Sequence, residues 1–395
     1  MKKLVAIVSA LAIATTTLTT TTFAASTNTS VPYGTIYNEC GHTRNETLQY
    51  VTMDIAYEAI FKEHIRALSY SQNYNHKDIA GVVIVSQTDL ASLYSAPMLC
   101  QYYNCILVFA EDTIWAEEAL QNFNGYESNT FNIFTLSTGK NNISNDTIKN
   151  IQRYNEKVAI KTKVTNIIGS NKIDTNTKVI NYIINNKKSN ELNKQNDKTI
   201  CIINQNSYSD IASAYNLDKN ILYMLVSNKL TNSQKTICKK LGYKDCRYMF
   251  FGSTNNLNKD VCNATKDTSN NTYFRDTKIS GADRYITNLK TVACSTSFNE
   301  YTVDEITRSL KNKEIFLVDG TSEVDCLITA CTTAVCDRHK AYTILINKSN
   351  PKLLNSINAS LKTAKVKTIT SNNYNTIKNN SLFIAVGKAG NYAKL

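Results

Sequence analysis

Three stretches of this chain open on one pattern, G-x-x-[RK]-x-x-T: Gly41 to Thr47, Gly169 to Thr175 and Gly281 to Thr287. A sequence that returns to the same opening must build the same supersecondary unit each time, so the repeat constrains the fold before any single element does. A helix-like pattern follows the first opening, where Leu48, Val51, Ile55 and Ala59 recur at three- and four-residue steps and lay one apolar stripe on a core.

Behind that helix each block carries three short apolar runs. The first are Val82 to Val85, Ile200 to Ile203 and Ile315 to Val318; the second are Ile106 to Phe109, Tyr223 to Val226 and Thr343 to Ile346. The third are Ile133 to Leu136, Tyr248 to Phe251 and Leu382 to Val386, each running to a glycine, Gly139, Gly252 or Gly387. Continuous apolar runs suit strands buried on both faces of a parallel sheet. Between the first and second runs stands an Asp that opens a small-residue segment, Asp89, Asp210 or Asp325, and each is expected to cap a helix N-terminus. Strands alternating with amphipathic helices specify βαβ units, so the expectation is three α/β domains in series, 33–155, 156–270 and 271–395. The Lys- and Asn-rich stretch from Asn185 to Lys198 reads as a surface loop inside the second.

Lys2 and Lys3, the apolar run Leu4 to Ala14 and the small-x-small segment Thr22-Phe23-Ala24 form a secretory leader, residues 1–24, with cleavage expected after Ala24. No later apolar run is long enough for a membrane span. About one residue in eight is Asn and Lys outnumbers Arg several-fold, a bias that reads as AT-rich coding with little physical content.

The order of G-A-D-R-Y-I-T at Gly281 to Thr287, the Asp-led segment, the I-L-V strand and the strand-ending glycine resembles the clostridial cell-wall-binding repeat (type 2) over essentially the whole chain past the leader. The resemblance implies three tandem Rossmann/toprim-like units with parallel sheets about a pseudo-threefold axis. It further implies a secreted protein of the cell surface, held noncovalently on an anionic cell-wall polymer, with other surface-layer proteins as further partners; most members of that family also carry a separate effector domain, which is not expected in this sequence. The second block departs most from the pattern: Lys172 stands where it has arginine and Ile173 where it has an aromatic, and Asn45 replaces the aromatic in the first.

Charge points the same way by itself. With 44 basic against 32 acidic residues the chain carries a formal +12, which falls by two, to about +10, when Lys2 and Lys3 leave with the leader. Nucleic acid is a poor partner for an exported chain without a basic arm or a readable binding module. Arg44, Lys172 and Arg284 are the candidate ligand-binding residues, arginine offering a planar fork to phosphate or carboxylate. For the two arginines the alternative is a salt bridge that fixes the turn, and the sequence leaves the two readings level.

No hydrolase, nucleotide or metalloprotease motif is present, and no enzymatic activity or cofactor is expected. Cys40 beside His42 and Cys336 beside His339 are the sequence-local thiol and imidazole neighbours that a wall-acting hydrolase would have to use. An adhesive or structural surface-layer protein without polymer binding is the other alternative. The 11 cysteines include no C-x-x-C pair, so metal ligation is not expected; they follow core periodicity and are expected to be mostly unpaired.

Overall fold

The computed structural model describes residues 36–39, 80–111, 130–157, 161–186, 198–217, 221–241, 246–265, 277–294, 302–335 and 341–395. The leader, the first G-x-x-R-x-x-T turn with its helix, Arg44 and all four histidines lie outside them.

The apolar runs are strands. In the first unit β2 (Gly81–Val85) leads through two short helices, α1 (Leu90–Leu93) and α2 (Ala96–Tyr103), to β3 (Cys105–Phe109) and later to β4 (Thr130–Thr138). The next helix and strand are α3 (Asn145–Lys157) and β5 (Lys161–Gly169). In the second, α4 (Lys172–Asn186), β6 (Lys198–Asn204), α5 (Tyr208–Ala214) and β7 (Ile221–Val226) precede α6 (Asn232–Leu241), β8 (Cys246–Phe251), α7 (Asn258–Thr265) and β9 (Thr277–Ile279). The third runs α8 (Arg284–Cys294), α9 (Val303–Leu310), β10 (Glu314–Asp319), α10 (Glu323–Val335), β11 (Ala341–Ile346), α11 (Leu353–Thr363), α12 (Ser371–Lys378) and β12 (Leu382–Val386). Every residue of β2, β3, β7 and β11 is buried, which is why these strands read as unbroken apolar runs.

Three four-stranded sheets result, ordered β3-β2-β4-β5, β7-β6-β8-β9 and β11-β10-β12-β1, all parallel. In each the fourth strand is the one that runs into the following G-x-x-[RK]-x-x-T turn. β5 and β9 thus hydrogen-bond to the unit before the turn they lead into, and β1 (Ile36–Glu39), the strand before Gly41, pairs with β12 of the last unit. The first strand therefore completes the third sheet and closes the three units into a ring. Sequence had shown three strands per block; the fourth was missed, and cutting at 155 and 270 separates β5 and β9 from the sheets they complete.

The helices after the first strands are central: α10 packs against both α2 and α5, and the Tyr223 hydroxyl on β7 donates to the Tyr94 carbonyl of the first unit at 2.7 Å.

Candidate functional site

The turns at Gly169 and Gly281 share one frame. The side chain two residues on caps the helix, Asn171 Oδ1 accepting from Asp174 N at 3.0 Å and Asp283 Oδ1 from Ile286 N at 2.9 Å. The motif threonine folds back on the same residue, Thr175 Oγ1 donating to Asn171 O and Thr287 Oγ1 to Asp283 O, each at 3.0 Å. A Cβ on Gly281 would stand 2.7 Å from Thr287 N, and one on Gly169 would collide with Thr175, so both positions need glycine. Nine residues beyond each glycine a lysine returns its ammonium to the carbonyl before it, Lys178 to Ile168 at 2.7 Å and Lys290 to Ser280 at 2.6 Å.

One residue past the threonine sits an asparagine that sequence reasoning missed. Asn176 and Asn288 are fully buried. Asn176 accepts from Leu225 N (2.9 Å) and donates to Tyr223 O (3.2 Å), while Asn288 accepts from Leu345 N (3.1 Å) and donates to Thr343 O (3.0 Å). Asn216, from the second unit, adds bonds to Thr343 N (2.8 Å) and O (2.9 Å). These amides satisfy the outer edges of β7 and β11, where unpaired backbone groups would otherwise be buried. The asparagine content, read from composition as coding bias, thus includes structural hydrogen bonds. The repeated Thr-Asn after two of the three turns was the available signal; the first block has Leu48 there.

The three Asp-led segments correct another expectation. Asp89 is an N-cap, accepting from Ser92 N at 3.2 Å. Asp210 and Asp325 instead lie inside the first turns of α5, capped at Ser207, and α10, which begins at Glu323. What the three share is a carboxylate at the turn that ends the third strand. Asp89 Oδ2 accepts from Thr138 N at 2.6 Å and Asp325 Oδ2 from Lys388 N at 2.9 Å. A Cβ on Gly252 would lie 3.8 Å from Asp210 Oδ2. Gly139, Gly252 and Gly387 all have positive φ, 80°, 55° and 56°, which fits them to turn there. In sheets of this order the crevice between the first and third strands is the place where doubly wound folds take ligands. Here a carboxylate of the chain itself occupies that place in each unit. Burial pushes the Asp210 carboxyl up to about 6, against opposing contributions from Ser207 and Arg284, and burial also raises Asp325 against its bonds from Lys388 and Ser322.

Lys172 and Arg284 each open a helix and reach into a junction between units. The Lys172 ammonium lies 3.5 Å from the ring centroid of Tyr94 in the first unit. Burial lowers its pKa, and Glu323 of the third unit pulls it back. The Tyr94 hydroxyl bonds to Glu323, and burial with that carboxylate alongside pushes its pKa up. Arg284 donates from one Nη to the Tyr208 hydroxyl of the second unit at 2.8 Å and to the Gly320 carbonyl of its own; Tyr208 in turn donates to Thr321 O at 3.1 Å. Burial opposes the guanidinium charge, but the Tyr208 bond together with the fields of Tyr208, Tyr285 and Cys326 outweighs it, and Arg284 sits above its ordinary pKa. Two of the three candidate residues are therefore brought to one region, with Tyr94, Tyr208 and Glu323 joining them from all three units.

Among the described residues no cluster of three or more His, Cys, Asp or Glu side chains is placed to hold a metal ion, and no helix is long and apolar enough to cross a membrane. The Cys40–His42 and Cys336–His339 neighbours lie outside the described residues.

No protein-family model and no characterised sequence matches this chain. Solved structures do. Cwp8 from Clostridium difficile is similar with a TM-score of 0.57 at 14% identity, over 91% of this chain and 50% of its own. Cwp6 from the same organism is similar with a TM-score of 0.55 at 15% identity, over 95% and 50%. The chain thus spans half the length of these proteins and shares their fold.

Proposed function

We propose that this chain is a secreted protein of the bacterial surface that binds an anionic wall polysaccharide noncovalently, without enzymatic activity, through Arg44, Lys172 and Arg284. The supporting observation is that Lys172 and Arg284, on matching turns, bring their cations to one region at the carboxyl ends of the parallel strands. Arg284 uses one Nη on neutral oxygens, and a guanidinium has five donors, so it can brace the units and still offer its fork to a phosphate or carboxylate. Lys172 is half-buried and shares its field with Glu323, so it is the weaker contact. The net charge of about +10 that remains once Lys2 and Lys3 leave with the leader draws a polyanion. The fold's likeness to Cwp8 and Cwp6, cell wall proteins, agrees with the surface reading. The carboxylates of Asp89, Asp210 and Asp325, set in the strand-end crevices, disfavour an anionic cofactor there and leave the interunit region as the place for an anion.

The test is retention of purified protein on isolated walls before and after the anionic polymer is stripped. Retention lost on stripping supports the reading; equal retention on stripped walls overturns it. Alanine at each position should cost retention in the order Arg284, Arg44, Lys172, and a true phosphate contact should flatten the salt dependence when removed. Equal losses from all three, or unfolding of Arg284→Ala without a specific loss of retention, would leave Arg284 a brace and place the polymer elsewhere.

A further inference from the structure

The described cysteines Cys100, Cys105, Cys201, Cys238, Cys262, Cys326 and Cys331 form no disulfide. Two of them meet across a boundary between units. Cys100 lies on α2 of the first unit and Cys331 on α10 of the third, helices packed against each other, and both side chains are buried in one core. The Cys331 and Cys100 side chains, on these two packed helices, are near enough to influence each other. Tyr215 and Tyr223 of the second unit stand beside the pair, so it occupies the point where all three units join. Other thiols are directed to oxygen: Cys105 to the Tyr103 carbonyl at 3.4 Å, Cys262 to Asn258 Oδ1 at 3.2 Å and Cys326 to the Asp319 carbonyl at 3.6 Å.

We propose that Cys100 and Cys331 form a modification site, an oxidisable dithiol whose disulfide ties the central helix of the first unit to that of the third. The oxidant is a small-molecule disulfide, RSSR. One cysteine, as thiolate, attacks a sulfur of RSSR; the S–S bond breaks and RS⁻ leaves, giving a mixed disulfide. The neighbouring thiol then loses its proton and displaces the second RS⁻, so that two thiols are oxidised and RSSR is reduced to two RSH. The two helices are already packed against each other, so forming a bond of about 2.05 Å asks the two side chains to close on one another rather than for a new packing arrangement. Burial holds the Cys331 thiol well above its usual pKa, which makes the thiolate scarce while the interface is closed. Reaction therefore waits on local opening of α2 from α10. The bond would close a loop of 231 residues, from 331 minus 100, and stabilisation by a cross-link grows with loop length.

The experiment is incubation of the full chain with oxidised glutathione, quenching with an alkylating agent, and peptide mapping under non-reducing conditions. The expected result is a peptide pair joined through Cys100 and Cys331, with faster migration on a non-reducing gel and a Tm raised by several degrees, all reversed by dithiothreitol. Cys331→Ala should abolish the cross-link and the mobility change. Hydrogen exchange at the α2 amides serves as the clock for opening. If both cysteines are still alkylated as free thiols after those amides have exchanged, or if either is found in another disulfide or left as a glutathione adduct, the assignment is wrong. Mapping of the wild-type chain decides this even if the variant does not fold.

Discussion

At Gly169 and at Gly281 the chain leaves an edge strand and enters a helix by one set of bonds: a side-chain cap, a threonine folded back on it, a buried asparagine and a lysine returning to the strand. What differs is the cation between cap and threonine. The Lys172 ammonium sits over the Tyr94 ring of the first unit and in the field of Glu323 of the third; Arg284 holds Tyr208 and Gly320, and so joins the second and third. The frame is dictated by backbone groups, which are the same in the two described turns. The cation answers to side chains of neighbouring units, which are not. The frame is therefore where the repeats should behave alike, and the cation is where they should part.

The frame's strongest test is its buried asparagine. Asn288→Leu would leave Leu345 N without its acceptor in a closed interior, while Thr343 O keeps the Asn216 amide, at a cost of about 1–3 kcal/mol, the penalty for one stranded polar group. Asn176→Leu should cost more, about 2–6 kcal/mol, because it strips the side-chain partner from both Tyr223 O and Leu225 N. Urea denaturation measures both. A loss under about 1 kcal/mol at one position only would break the equivalence of the two turns.

A second comparison sets Asp210 against its counterpart Asp89, whose carboxylate is matched by backbone N–H groups. The Asp210 carboxyl is raised to about 6 by burial, against about 3.9 for an unfolded aspartate. The folded chain therefore binds more protons than the unfolded one between those values, so this group's contribution is fully present below about pH 4 and is lost as pH rises through 6. The stability of the parent relative to Asp210→Asn should fall by up to about 3 kcal/mol from pH 4 to pH 7. A flat difference across that range would show that Asp210 is not held protonated by burial.

How far the sequence could show these things depends on which side of an element faces water. β2, β6 and β10 were legible because both faces are buried, leaving the unbroken apolar runs Val82 to Val85, Ile200 to Ile203 and Ile315 to Val318. β5 was not, because Lys161, Lys163 and Asn166 are exposed and mask the apolar minority. β9 is three residues long, and β1 finds its partner more than 300 residues away, a pairing no local pattern encodes. In the site, the repeated turn located Lys172 and Arg284 but not what they touch. Tyr94, Tyr208 and Glu323 come from other units, and only the closed ring brings them there. Asn176 and Asn288 were hidden in plain composition: where asparagine is common everywhere, one more carries no weight until its spacing from the motif threonine is counted.

The cations should give the smallest effects on stability, and unequal ones. Arg284→Lys keeps the charge but offers a single ammonium where one Nη now serves both Tyr208 and Gly320 from a planar fork, so it should cost about 1–2 kcal/mol. Lys172→Ala removes a cation over an aromatic face, a contact of about 0.5–1 kcal/mol when partly exposed, and frees Glu323 to relax toward solvent. A double change should separate bracing from neighbourhood: the two cations contact different residues, Tyr94 for one and Tyr208 with Gly320 for the other, so their costs should add to within about 0.5 kcal/mol. Coupling well beyond that would mean that Tyr94, Glu323 and Tyr208 act as one network across the axis, and the distinction drawn between the two turns would reduce to two arms of a single contact.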